Sequence, residues 1–148
     1  MATENLTFAT AVDDWAKAQT ERLRLIAIES TQRLASLITN AVPVDTGFAR
    51  ASVRASLDSM PPIIPGSGPP KNAEPNSIPY DSGVIQAEIS NAQIGQTIYV
   101  GWTAAYIGVL EYGHSKQAPQ GFVRINCAQW PAIVDQVVAE AKTIEGTS

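Results

Sequence analysis

Along the N-terminal part of the chain, apolar residues recur at steps of three and four. Val12, Trp15, Leu23, Ile26, Leu34, Leu37 and Ala41 make one stripe, broken only by Gln19 and Ser30, and Ala16, Ala27 and Ile38 widen it. Asp14, Lys17, Glu21, Arg24 and Gln32 take the opposite side. This is the period of an amphipathic helix, and it predicts one over 8–41. So long a helix in so short a chain is expected either to extend past its own core, leaving an apolar stripe for a neighbouring subunit, or to lie across a sheet of its own chain.

Pro43 ends the pattern, because proline lacks an amide donor and disfavours the α conformation in the residue before it. Asp45, Thr46 and Gly47 follow, two side chains that bond nearby backbone and a glycine free to take positive φ. From 51 to 57 the period becomes two: Ala51, Val53, Ala55 and Leu57 alternate with Ser52, Arg54 and Ser56, as in a half-buried strand. Arg50 and Arg54 are expected to share the outer face with Ser52 and Ser56. There they would meet solvent, a DNA channel, or Asp45, Glu111 or Asp135 across a subunit contact.

Residues 59–83 hold seven of the ten prolines and three glycines, a composition that excludes helix and central strand and predicts an extended arm ordering against a partner. A second strand is expected over 84–90 with Ala87 and Ile89 inward, then a turn containing Gly95. The clearest strand spans 97–103, with Ile98, Val100 and Trp102 on one face and Thr97, Tyr99 and Thr103 on the other. A short helix over 105–112, carrying Tyr106, Val109 and Leu110 on one face, stops at Gly113; a loop containing Pro119 follows. From Phe122 the stripe Val123, Cys127, Trp130, Val134, Val137 and Ala141 keeps helical phase through Pro131, which predicts one kinked helix. The fold class is therefore α+β in one domain (1–148): a long N-terminal and a C-terminal helix packed on a small antiparallel sheet, with a Pro-rich arm at 59–83.

Composition narrows the chemistry. A net charge of −4 with no basic cluster argues against a reader of duplex DNA. Cys127 is the one cysteine and His114 the one histidine, so neither a disulfide within the chain nor a Cys/His zinc site is expected. No apolar run reaches the roughly 18 residues of a membrane span, and the start Met-Ala-Thr-Glu-Asn lacks the basic and apolar blocks of a secretory signal; a protein made and kept in the cytoplasm, or packaged from it, is expected.

Val44-Asp45-Thr46-Gly47 matches the active-site signature of aspartic proteases, in which two carboxylates share a proton. Its surroundings do not match: those enzymes are almost wholly β, whereas here a long helix precedes the motif and Phe48 follows it. Capping of a turn by Asp45 and Thr46 is the plainer reading. His114 beside Ser115 makes no triad, Cys127 lies on an apolar helical stripe where a buried, inert thiol is expected, and Gly66-Ser67-Gly68 runs into prolines rather than a phosphate-binding helix. No catalytic residue, cofactor or metal is expected.

Three segments carry a family resemblance. Val42-Pro43-Val44-Asp45-Thr46-Gly47 with Arg50 and Ser52, then Ala105-Tyr106 with Leu110-Glu111-Tyr112-Gly113, then Ala118-Pro119-Gln120-Gly121-Phe122-Val123-Arg124 resemble, in order, the motifs of the neck or tail-completion proteins of long-tailed bacteriophages. The arm is long for that family, and His114 stands where a threonine is common. The resemblance implies a structural virion protein at the head–tail junction, forming a ring of six copies. Its implied neighbours are the head–tail connector and the tail-terminator or tail-tube proteins, with genomic DNA passing through the lumen unread and no membrane. Asp45, Thr46, Gly47, Arg50, Arg54, Glu111, Tyr112, Gly113 and Arg124 become the expected junction or interface residues. A tail-terminator ring is the alternative within this class; a protease using Asp45 is the alternative outside it.

Overall fold

The computed structural model describes residues 2–112 and 116–146. Helix α1 (Ala2–Ala41) runs for 40 residues, about 60 Å at the α-helical rise of 1.5 Å per residue. Its C-terminal half packs on the rest of the molecule through Ile28, Ala35 and Ile38, joined by Val42 just past its end. The chain then bends through a corner into a one-turn helix α2 (Phe48–Ala51) and strand β1 (Val53–Ser56). Helix α3 (Ser82–Ser90) follows the arm, and strand β2 (Tyr99–Trp102) pairs antiparallel with β1 in the register Val53 to Trp102 and Ser56 to Tyr99. Two short helices, α4 (Ile107–Glu111) and α5 (Val123–Cys127), lead to α6 (Trp130–Gly146), which doubles back along α1. The α+β class stands: a long N-terminal helix, a C-terminal helix and a two-stranded antiparallel sheet.

Several local expectations are overturned. Residues 84–90 form helix α3, not a strand. Asp81 caps it by accepting the Gly83 amide (2.8 Å), and the residues it buries, Ile85 and Ile89, are four apart, so the helical period wins over the apparent alternation; Ala87 is exposed. The strand expected from 51 begins only at Val53, because α2 intervenes. Ser52 is consequently buried, donating to the Ala49 carbonyl (2.7 Å) and accepting the Ala104 amide (3.2 Å), and it shares no outer face with Arg50 and Arg54. The C-terminal stripe is two helices rather than one kinked helix. A turn at Ala128 and Gln129 separates them and places Pro131, which has no amide to donate, in the first turn of α6. The break shifts the buried set to Phe122, Asn126, Ile133 and Val137; Cys127 and Trp130 are exposed. Val109, expected inward on α4, is also exposed, and Ile107 takes the core position.

The arm lies against its own domain at two places. The Ile64 amide donates to the Thr103 carbonyl (2.8 Å), extending the edge of β2. Farther on, the Asn76 and Ile78 amides donate to the Asp45 and Thr46 carbonyls (2.6 and 2.9 Å). Between the two anchors the backbone carries no regular structure.

The candidate functional site: a corner and a carboxylate clasp

The corner follows from its residue types. Gly47 has φ +95, and a Cβ there would stand 2.5 Å from the Ile78 carbonyl oxygen, so only glycine fits both the conformation and the approach of the arm. The Thr46 hydroxyl accepts the Phe48 amide (3.3 Å) at the start of α2. Asn76, also at positive φ (+50), uses its side-chain oxygen to accept Arg50 Nη2 (3.3 Å). Thus Arg50 faces the arm of its own chain. Arg54 is exposed and turns its guanidinium onto the Ala51 and Val53 carbonyls (3.0 and 2.6 Å).

The second half of the site centres on Glu111, at the end of α4 and only 9% exposed. One carboxylate oxygen accepts the amides of Phe122 and Val123 (both 2.8 Å); the other accepts the amide and the Nε of Arg124 (3.0 and 2.9 Å). Arg124 Nη2 in turn donates to the Glu111 carbonyl (2.9 Å), and the guanidinium lies 4.9 Å from the centre of the Tyr112 ring. The carboxylate therefore satisfies three amides that α5 would otherwise leave unpaired at its N-terminus. Gly121 makes the approach possible: at φ +85, a Cβ would meet the Glu111 carbonyl oxygen at 2.5 Å. Burial pushes the Glu111 carboxyl up, but the amides of Val123, Phe122 and Arg124 and the Arg124 side chain outweigh it and hold the group below the ordinary carboxylate range.

Corner and clasp are joined. The Gln117 side chain donates to the Val44 carbonyl (3.2 Å) and accepts the Val44 amide (2.9 Å), a contact with no local sequence signal. Phe48 stacks on Tyr106 with ring centres 6.4 Å apart. Together these segments enclose an open cavity of about 380 Å3 lined by Asp45, Thr46, Phe48, Tyr106, Leu110 and Gln117. Burial and the Asp45 charge both push the Tyr106 hydroxyl up. Among the described residues no group of three or more His, Cys, Asp and Glu is arranged to hold a metal ion, and no helix is long and apolar enough to cross a membrane.

Of the residues singled out in sequence, Asp45, Thr46, Gly47 and Arg50 meet at the corner, and Glu111, Tyr112 and Arg124 meet at the clasp. Arg54 joins neither, and Gly113 and His114 lie outside the described residues. Asp135 lies on α6, and Glu111 pairs with Arg124 of its own chain. Comparison with protein-family models, curated proteins and solved structures finds no match to this chain.

Proposed function

We propose that this chain is a structural, non-catalytic subunit of the head–tail junction of a long-tailed phage: a neck or tail-completion protein that assembles as a ring around the DNA channel. One observation carries the reading. The three segments that bear the family resemblance are far apart in sequence, yet they pack into a single unit, the corner bridged by Gln117 to the loop before α5 and the clasp tying α4 to α5. The polar groups of that unit are directed at each other. Glu111 is saturated by amides and Arg124, and Thr46 caps backbone, which suits a rigid framework better than a reaction centre. The chain's mild net negative charge suits a lumen through which DNA slides without being held.

In this reading the partners are copies of the chain, the connector on one side and the tail-terminator or tail-tube protein on the other, and the location is the virion, reached from the host cytoplasm. The test is direct. Purified virions from a lysate expressing a tagged chain are expected to retain the tag, with an electron-dense label at the neck. A label at the terminator level would move the assignment within the class. Intact, infectious particles that lack the chain would overturn it.

A further inference from the structure

One polar side chain of the corner is not turned on its own chain. The Asp45 carbonyl accepts the Asn76 amide, but among the described residues its carboxylate has neither a hydrogen bond nor an ion pair. Arg50, the next cation along the chain, faces Asn76 on the arm and does not line the cavity. Asp45 is therefore the one charged residue around the open space of about 380 Å3, whose apolar wall comes from Pro43, Pro69, Leu110 and the stacked rings of Phe48 and Tyr106. Its charge reaches that wall: after burial, it is the second cause that pushes the Tyr106 hydroxyl up.

An unpaired anion beside aromatic rings and aliphatic surface is the environment an organic cation requires. The carboxylate supplies the countercharge, the rings attract positive charge to their faces, and the prolines and leucine cover an apolar stem. The volume lies at the low end of ligand sites, enough for one side-chain-sized group rather than a nucleotide. A guanidinium suits it better than an ammonium, because a planar fork pairs with both carboxylate oxygens and lies flat against a ring.

We propose that this cavity binds a guanidinium group on an aliphatic stem, paired with Asp45 and packed against Phe48 and Tyr106. The group belongs either to a free guanidinium compound or to an arginine side chain of another protein chain. The site stands whether or not the virion reading does.

The experiment titrates the full chain, isotope-labelled for amide NMR, with butylguanidinium. Shift changes are expected around Thr46, Phe48, Tyr106 and Leu110, saturating with a dissociation constant on the order of 1 mM, as suits so few atoms. Butylurea, planar and nearly isosteric but uncharged, is expected to bind at least about tenfold more weakly, with butylammonium between the two. Asp45→Asn is expected to weaken butylguanidinium by at least about tenfold without changing thermal unfolding, since the carboxylate has no partner in the free chain. Phe48→Leu, which keeps an apolar side chain but removes a ring face, is expected to cost roughly threefold. The capped tripeptide Ala-Arg-Ala separates the sources: tighter binding than butylguanidinium assigns the group to a protein chain, and equal or weaker binding assigns it to a free compound. No shift at about 10 mM butylguanidinium, equal binding of butylurea or butylammonium, or affinity undiminished in Asp45→Asn would each overturn the proposal. The ligand comparison needs no variant, so it decides even where a substitution fails to fold.

Discussion

The two ends of α1 belong to different regimes. From Ile28 onward the helix is embedded: Ser30 and Thr39 are fully buried, Gln32 bonds the Gln86 carbonyl and the Ser90 hydroxyl of α3, and Arg33 bridges to Glu140 on α6. Arg24, just before, bonds the Ser90 and Ala92 carbonyls, supplying donors to the C-terminal end of α3 where helix carbonyls lack partners. The N-terminal half, in contrast, holds itself by contacts within one helix, such as Lys17 with Asp13 at 2.9 Å, and exposes its large apolar side chains. The expected stripe does not become the core: Leu23 and Leu37 stay exposed at 61 and 39%, and Ile28, Ala35 and Ile38 are the apolar residues that α1 buries.

That contrast can be broken or sharpened by mutation. The largest effect is expected at the clasp. Glu111→Ala leaves three amides and the Arg124 guanidinium without their acceptor, and at about 1–3 kcal/mol for each unsatisfied buried group the loss should reach about 3–5 kcal/mol, read by chemical denaturation. A loss below about 1 kcal/mol would mean that water replaces the carboxylate without penalty. Gly47→Ala and Gly121→Ala come next, each forcing a Cβ to 2.5 Å from a carbonyl oxygen at positive φ, with about 2–4 kcal/mol expected for either.

Acid should act on the same end of the molecule. The Glu111 carboxyl is depressed in the folded chain, so its contribution is fully present above its unfolded value of about 4.3 and disappears as pH falls through the lower folded value. Glu111→Gln should therefore flatten the stability profile below about pH 4.3; an unchanged acid slope would remove the clasp from the explanation. At the other end of α1, Phe8→Ser with Trp15→Ser should change unfolding of the dilute chain by less than about 0.5 kcal/mol. A larger loss would show that these side chains pack on their own chain. The smallest effect concerns Cys127: it is exposed, but burial of the thiol and the nearby Glu111 charge push it up, so alkylation near pH 8 should run slower than for a free cysteine.

Long-range periodicity was legible in the sequence and short-range geometry was not. The helical period of α1, the Pro43 stop and the apolar face of β2 follow from side-chain spacing, whereas the buried side of α1 does not: Leu23 and Leu37 of the expected stripe are exposed, and Ile28 and Ala35, outside it, are core. Helix α3 was misread since Val84, Ile85, Ala87 and Ile89 fit either period, and only the Asp81 cap and the burial of residues four apart decide between them. Helix α2 is a single turn, too short to leave a pattern. In the site, Gly47 and Thr46 could be assigned to a turn from their chemistry. The clasp could not be derived that way, since an acidic residue at the end of an apolar helix gives no hint that three amides eleven to thirteen positions later will converge on it. Gln117 and Asn76 act through the backbone of distant segments, and neither carries a local signal beyond asparagine's tolerance of positive φ.

The arm's two anchors have a practical consequence. Ser67, which accepts the Ala105 amide at 3.0 Å, and Asn76 mark the ends of the span that both anchors leave free, and Lys71 lies between them in an exposed turn. Foreign sequence spliced in beside Lys71 would extend outward from the surface while both attachments persisted. The arm is thus a ready place to carry an epitope or fluorophore, one that marks the subunit without disturbing the corner, the clasp or the long helix.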